Sequence, residues 1–232
     1  MGSAESFIES RIGRSMKIKY FLGLDIGQAH EMSALAILER RTETDQDEKL
    51  FHCRHLKRWQ QRTPYPAIIE EVGRLIASDE LRAGNEQPGL AVDATGVGAP
   101  LVQLIRRAQM KARLWPVLIT AGDIVGHESG FWRVPKRELA SNVQLALQSE
   151  RLKIAPELKE AATLTREMMG FQVKVTLDAS QDSYAAWREG ADDDLVLAVA
   201  VALWAGERDR PEQIVIRSYS GVSFGSGPVR FD

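Results

Sequence analysis

The sequence predicts an α/β protein built on one mixed sheet, and two hydrophobic patterns support that fold class. Residues 17–59 hold three consecutive runs of apolar, aromatic and β-branched residues, separated by short polar connections, which is typical of an antiparallel meander. From residue 65 onward, short apolar runs alternate with stretches whose apolar residues recur every three or four positions, the period of a helix. We therefore expect three antiparallel strands, then parallel strands, with helices flanking the sheet.

The three strands of the meander are bounded by turn-forming or polar residues. The first, residues 17–25, ends just before Gly27, and the next two span residues 33–38 and 50–59. The acidic and polar residues 42–49 indicate a hairpin loop between the second and third strands. Consecutive strands joined by such short loops pair antiparallel.

The rest of the chain predicts strands and helices in alternation. Short apolar or alternating runs indicate strands at residues 89–92, 115–119, 152–155 and 171–177. Helical periodicity indicates helices at residues 65–81, 101–112, 135–148, 156–169 and 191–207. The last helix contains an apolar run, residues 195–204, which is shorter than the roughly 20 residues of a membrane span. We therefore expect it to be buried, and we expect no membrane partner.

The 232 residues predict one main domain with an appendage at each end. We expect residues 1–15 to form an N-terminal extension, residues 16–208 the domain, and residues 209–232 a C-terminal segment. That segment would hold one edge strand at residues 212–220, followed by a flexible tail.

Composition limits the environment and the kind of partner. The single cysteine, Cys53, excludes an intramolecular disulfide and suits the reducing cytoplasm. The formal net charge of −2 lacks the basic excess of a typical nucleic-acid binder. Any DNA binding must therefore come from a local basic patch.

Acidic residues stand at the ends of three predicted elements. Asp25 closes the first strand, Asp93 closes the strand before Gly96, and Asp192, Asp193 and Asp194 open the last helix. Ligand sites of open sheets form at strand ends, and hard divalent cations such as Mg²⁺ prefer oxygen ligands. Two such ions activate water and stabilise charge in phosphodiester hydrolysis, and they would offset the repulsion between clustered carboxylates.

Each of these positions also has a simpler interpretation. Asp25 before a glycine is compatible with turn chemistry, and Asp93 with an Asx turn or a cap. The aspartate triplet could serve as an N-cap that favours the helix dipole. Three adjacent aspartates exceed what capping needs, however, and the joint pattern favours a metal site.

Four segments resemble the nuclease domain of phage terminase large subunits, within the RNase H-like nucleases. They are residues 23–40 (GLDIGQAHEMSALAILER), 92–105 (VDATGVGAPLVQLI), 187–204 (WREGADDDLVLAVAVALW) and, more weakly, 134–147 (VPKRELASNVQLAL). Together they cover most of residues 17–204 in the order and approximate spacing of that family. The resemblance implies an RNase H-like sheet and a metal-dependent endonuclease that cuts concatemeric phage DNA during genome packaging.

The same resemblance implies the site residues and the cofactor. It assigns Asp25, Asp93, Asp193 and Asp194 as catalytic ligands of two Mg²⁺ or Mn²⁺ ions. The last helix of that family often begins His-Asp-Asp-Leu-Val, and here Asp192 stands in the histidine place. We therefore expect Asp192 to support the ligands without itself holding metal.

The resemblance also implies partners and location. They are double-stranded DNA and a packaging ATPase domain, small terminase subunit or portal, in the host cytoplasm if the protein is phage-encoded. The phosphate-binding loop of the packaging ATPase, which ends in Gly-Lys-Ser/Thr, does not occur in the sequence. We expect either an isolated nuclease domain or a stand-alone relative.

Local basic clusters supply the candidate DNA contacts. They include Arg58, Arg133, Lys136 and Arg137, which would track the DNA backbone because phosphate neutralisation provides most non-specific affinity. The alternative for each cluster is a solvated surface. Trp132 lies in a predicted loop, where it could contact DNA or pack.

Other functions are compatible with parts of the pattern. A Holliday-junction resolvase would share the fold and the carboxylates, whereas an actin- or hexokinase-like ATPase would share the segments GLDIG and DATGVG. The ATPase fold needs two duplicated halves, for which the chain is too short. A non-catalytic adaptor would not need the full carboxylate set.

Overall fold

Within the part of the chain that the computed structural model describes, an eight-stranded mixed sheet forms the centre. The model describes residues 16–28, 31–43, 48–84, 86–96, 98–178 and 193–209, with the backbone alone for residues 171–178. The strands in chain order are β1 Met16–Asp25, β2 Ser33–Glu43, β3 Lys49–Trp59, β4 Gly89–Asp93, β5 Arg113–Thr120, β6 Gly126–Glu128, β7 Phe131–Pro135 and β8 Leu152–Ile154. Their order across the sheet is β6-β7-β5-β4-β1-β2-β3-β8.

The direction of the strands follows the predicted division of the chain. β1, β2 and β3 form an antiparallel meander, whereas β1, β4, β5 and β7 run parallel to one another. At the edges, β8 pairs parallel with β3 and β6 pairs antiparallel with β7. The predicted α/β class, with antiparallel strands followed by parallel ones, is confirmed.

Helices cover both faces of the sheet. They are α1 Tyr65–Ile76, α2 Asp79–Arg82, α3 Gly98–Arg107, α4 Lys136–Gln148, α5 Ala161–Asp178 and α6 Asp194–Arg208. Alternation along β1 divides the core: Leu22 and Leu24 pack in one cluster with α1 and α3, whereas Phe21 packs in the other with α4 and α6. This alternation is the period of two that strand geometry imposes.

Helix α6 is the central helix of the second face. Its residues 194–206 are all buried, as expected for a helix that is apolar all round. It contacts β1, β2 and β4 on one side and α4 and α5 on the other. A Cβ atom built on Gly23 of β1 would lie 1.8 Å from the carbonyl oxygen of Ala198. Glycine is therefore what allows α6 to approach the sheet so closely.

The C-terminal end of α6 is fixed by a buried carboxylate. The side chain of Asp209 is fully buried and accepts from Lys19 Nζ at 2.9 Å. Arg40 and Arg113 approach the same carboxylate at 3.3 and 3.2 Å. Because Lys19 lies near the start of β1, α6 runs antiparallel to β1 and its N-terminus lies over the C-terminal end of that strand.

Three sequence predictions of local structure are wrong. The predicted helix 65–81 is two helices, because the side chain of Ser78 caps α2 by accepting from the Leu81 amide. Trp132, predicted to lie in a loop, belongs instead to strand β7 of the β6–β7 hairpin. Residues 171–177, predicted as a strand from their β-branched alternation, continue helix α5. In that short segment the established helix outweighs a β-propensity that depends strongly on context.

The β6–β7 hairpin also settles the position of Trp132. Its ring stacks on Trp115 with centroids 5.7 Å apart and meets the edge of Trp204 at 5.5 Å. Trp132 therefore packs against the α6 side of the core.

Some expectations concern residues outside the described ranges. These are the extension 1–15, the edge strand 212–220 and the tail that follows it. Among the described residues, no helix has the length and apolarity that crossing a membrane requires.

Candidate functional site

The predicted site residues Asp25 and Asp93 are direct neighbours in the sheet. They are the last residues of the parallel strands β1 and β4 and are paired with each other in register. Both are buried, at 6% and 4% exposure. The strands adjacent to this pair contribute Ala34 and Val117, which belong to the core cluster around α6. Paired residues of neighbouring strands share a face, so both carboxylates face the α6 side of the sheet.

Helix α6 brings the third predicted acid to the same end of the sheet. Ala198 contacts Gly23, and Asp194 lies one helical turn before Ala198, toward the end of β1 that carries Asp25. Asp194 is 9% exposed, and Asp193 is the N-cap residue of the helix. The structure therefore gathers Asp25, Asp93 and the start of α6 at one end of the sheet. Asp192 lies outside the described residues.

Asp93 is held in place by the turn that follows it. Its Oδ1 accepts from the Thr95 amide at 2.8 Å and from the Thr95 hydroxyl. The same hydroxyl oxygen accepts from the Ile119 amide of β5 at 2.8 Å. The Asx turn that the sequence allowed as a simpler role is thus present, and it fixes the orientation of the carboxylate at the strand end.

The start of α6 is capped from another helix. Asp193 makes no side-chain cap hydrogen bond. Instead, Glu167 of α5 accepts through Oε2 from the amides of Leu195 and Val196, at 2.9 and 3.1 Å. A side-chain cap therefore does not explain Asp193 at the start of this helix.

Glu167 is the residue of this region that the sequence prediction missed. It is 6% exposed and follows Ala161 and Leu164 at helical spacing on the buried side of α5. An acid in an apolar helical stripe is a signal of a special role, because buried carboxylates are rare unless they are partnered. Its partners lie on other elements and could not be identified from the sequence.

The environment of Glu167 raises the pKa of its carboxyl group. The pKa of the Glu167 carboxyl is raised to about 7, mainly by burial and also by the nearby Asp194 carboxylate. The amides of Val196 and Leu195 and the guanidinium of Arg58 oppose this rise in pKa because they stabilise the ionised form.

Arg58, predicted as a DNA contact, lies close to the carboxylates of Asp194 and Glu167. It is paired with Ala34 on β2, which is in turn paired with Asp25. Its Nη2 lies 3.3 Å from Asp194 Oδ2 and its Nη1 lies 3.8 Å from Glu167 Oε1. The Arg58 side chain is only 14% exposed, and its described ion pairs include those with the Glu167 and Asp194 carboxylates.

The other three predicted DNA contacts lie on or after β7. Arg133 is exposed and lies 3.8 Å from Glu128, and Arg137 is exposed and pairs with Asp123. Lys136 is the first residue of α4, directly after the C-terminal end of β7. Because β7 runs parallel to β5, β4 and β1, its C-terminal end lies at the same end of the sheet as Asp25 and Asp93. Lys136 and Arg137, which follow β7, therefore lie at that end too.

The carboxylates at this end of the sheet suit a hard divalent cation. The carboxylates of Asp25, Asp93, Asp193 and Asp194 offer oxygen ligands, the kind that Mg²⁺ and Mn²⁺ prefer. Within the described ranges, no set of three or more Asp, Glu, His or Cys side chains is arranged so that it could already hold a metal ion. The metal-binding and catalytic roles of the four aspartates stay predictions.

Comparison with known proteins identifies the fold. No family model and no curated protein matches the sequence. The human cytomegalovirus terminase nuclease domain, soaked with Mn and bound to an inhibitor, superposes with a TM-score of 0.54 at 14% identity, over 89% of this chain and 95% of that one. This likeness confirms the predicted terminase nuclease-like, RNase H-like fold.

Two further solved structures are similar at lower scores. The large terminase nuclease from thermophilic phage G20c has a TM-score of 0.48 and 16% identity, covering 80% of this chain and 81% of that chain. RuvC from Thermus thermophilus has a TM-score of 0.36 and 13% identity, covering 81% and 93%.

Proposed function

We propose that this protein, with its terminase nuclease-like fold, is a metal-dependent DNA endonuclease. The observation that carries the proposal is the pairing of Asp25 with Asp93. Two buried carboxylates stand side by side at the ends of parallel strands, and α6 begins at the same end of the sheet with Asp193 and Asp194. Such crowding of like charges is costly without cations.

The four aspartates would hold the cofactor. Asp25, Asp93, Asp193 and Asp194 would bind two Mg²⁺ or Mn²⁺ ions, which when bound activate water and offset the charge that develops on the phosphodiester. Thr95 would keep the Asp93 carboxylate oriented through its two hydrogen bonds. The Mn soak of the cytomegalovirus terminase nuclease domain is consistent with this choice of metal.

The basic residues on and directly after β7 would bind the substrate. Lys136, Arg137 and Arg133 would neutralise backbone phosphates, which favours low sequence specificity because phosphate contacts carry no base information. By resemblance, the substrate would be concatemeric double-stranded DNA, cut during genome packaging. The protein partners would be a packaging ATPase domain, a small terminase subunit or a portal.

Cleavage of two DNA forms tests the proposal. The purified chain is incubated with supercoiled plasmid and with a four-way junction, in Mg²⁺, in Mn²⁺ and in EDTA. We expect metal-dependent nicking and linearisation of the plasmid and cutting of the junction DNA, with no product in EDTA.

The other outcomes separate the remaining functions. Cutting of the junction alone would favour a resolvase, and ATP turnover without DNA cleavage would favour an ATPase. Cleavage that persists in EDTA would contradict the metal-dependent mechanism. An absence of any activity with either metal would contradict an endonuclease.

A further inference from the structure

Arg58 connects the strand meander to both helices of the site. It projects from β3, and its described carboxylate partners include Glu167 of α5 and Asp194 of α6. Their side chains are 3% and 13% exposed, so the three groups form a largely buried ionic cluster. A guanidinium suits this position because its planar fork can address two carboxylates at once, which a lysine ammonium does less well.

Glu167 links Arg58 to the first turn of α6. One oxygen of Glu167 faces Arg58, and the other accepts from the amides of Leu195 and Val196. These amides belong to the first turn of α6, the turn that also carries Asp194. Arg58 therefore acts on this turn twice, directly through Asp194 and indirectly through Glu167.

Arg58 also supplies positive charge where negative charge accumulates. Asp25 and Asp93 lie at the same end of the sheet as Asp194 and Glu167, and Arg58 is two strands from Asp25 in the same row. Before metal binds, a fixed cation lowers the repulsion among these carboxylates. Once metal binds, the same cation repels it and competes for Asp194.

We propose that Arg58 is a positioning residue of the carboxylate site, which holds Asp194 and Glu167 in place and serves as the counter-charge of the metal-free protein. This inference rests on the proposed nuclease function. Under this inference Arg58 supports the carboxylates of the site and does not contact DNA. We therefore expect that removing the charge of Arg58 changes metal binding and catalysis in opposite directions.

The test compares Arg58→Gln and Arg58→Lys with the wild-type chain. Mn²⁺ affinity is measured by calorimetric titration, and plasmid cleavage is measured at saturating Mn²⁺. In Arg58→Gln we expect Mn²⁺ to bind about tenfold more tightly, because a nearby like charge is lost. We expect cleavage to slow by about tenfold or more, because α6 and Asp194 lose their support.

The conservative variant separates charge from geometry. Arg58→Lys keeps the charge, so its Mn²⁺ affinity should return to within about threefold of the wild type. Its cleavage should stay about tenfold or more below the wild type because an ammonium does not bridge both carboxylates as a guanidinium does. Arg74→Gln is the control: Arg74 pairs with Glu70 on the exposed surface of α1, across the sheet from the site. It should match the wild type in both measurements.

Each other outcome overturns the inference. An unchanged or weaker Mn²⁺ affinity in Arg58→Gln would indicate a merely structural role. A raised KM for DNA with unchanged kcat and Mn²⁺ affinity would indicate a DNA contact. If Arg58→Gln does not fold, Arg58→Lys decides, and cleavage at the wild-type rate would contradict positioning. A wild-type protein that neither binds Mn²⁺ nor cuts DNA would instead overturn the proposed function, and this inference with it.

Discussion

Replacing Asp25 with asparagine is expected to abolish DNA cleavage while leaving the fold intact. Asparagine keeps the size of the side chain but removes the charge that binds a divalent cation. We expect the rate of plasmid cleavage in Mn²⁺ to fall by about 1000-fold or more, because the charge on the reacting phosphodiester would lose its stabilisation. Asp25 pairs in register with Asp93, so removing one of two neighbouring negative charges should leave the metal-free melting temperature unchanged or slightly higher.

Thermal melting with and without metal completes the Asp25 test. At a Mn²⁺ concentration 100 times its Kd, binding stabilises the wild type by about 2.7 kcal/mol, or roughly 5–10 °C in Tm. The variant should gain much less. Asp79→Asn is the matched control, because Asp79 is an exposed residue of α2. Wild-type cleavage by Asp25→Asn would contradict the metal assignment, and loss of the fold would show that Asp25 is a structural turn residue.

Replacing Gly23 with alanine is expected to destabilise the protein strongly. The new Cβ would lie 1.8 Å from the carbonyl oxygen of Ala198 and 2.9 Å from Ala202 Cβ, so α6 would have to move away from the sheet. Such overpacking of a close backbone contact should lower the free energy of unfolding by about 3 kcal/mol. Thermal melting should show Tm lower by roughly 6–12 °C. Cleavage should fall as well, because α6 carries Asp194.

Gly73→Ala is the matched control for Gly23→Ala. Gly73 lies within α1, and among the described residues an added Cβ would meet Met110 Cγ alone, at 3.9 Å. Alanine is favoured over glycine in a helix interior, so this variant should match the wild type or gain up to about 1 kcal/mol. A Gly23→Ala protein with the stability of the wild type would contradict the close packing of α6 on β1.

The sequence predicted those parts of the fold that local periodicity encodes. β1 and the apolar helix α6 were identified because each carries its pattern over a long continuous stretch. The β6–β7 hairpin was missed because its strands are short and because Gly126, at the start of β6, and Gly130, in the turn between the strands, both favour turns. Residues 171–177 were misassigned because seven residues of β-branched alternation do not show that the helix predicted just before them continues through them.

The site was predictable only in part, for a related physical reason. Asp25 and Asp93 are visible in the sequence because each ends an apolar strand, but their pairing in register depends on the parallel alignment of β1 with β4. Arg58 was identified as a basic residue, yet its burial against Asp194 depends on how α6 packs over the sheet. Glu167 caps α6 from α5, a contact between distant segments that no local pattern encodes.

The most direct measurement is a crystal structure of the protein grown with Mn²⁺, with anomalous data collected at the manganese absorption edge. The proposed function predicts two anomalous peaks, about 3.5–4 Å apart, bound by Asp25, Asp93 and the aspartates at the start of α6. An active protein without any peak between these carboxylates, or with its manganese bound elsewhere, would contradict the proposed site.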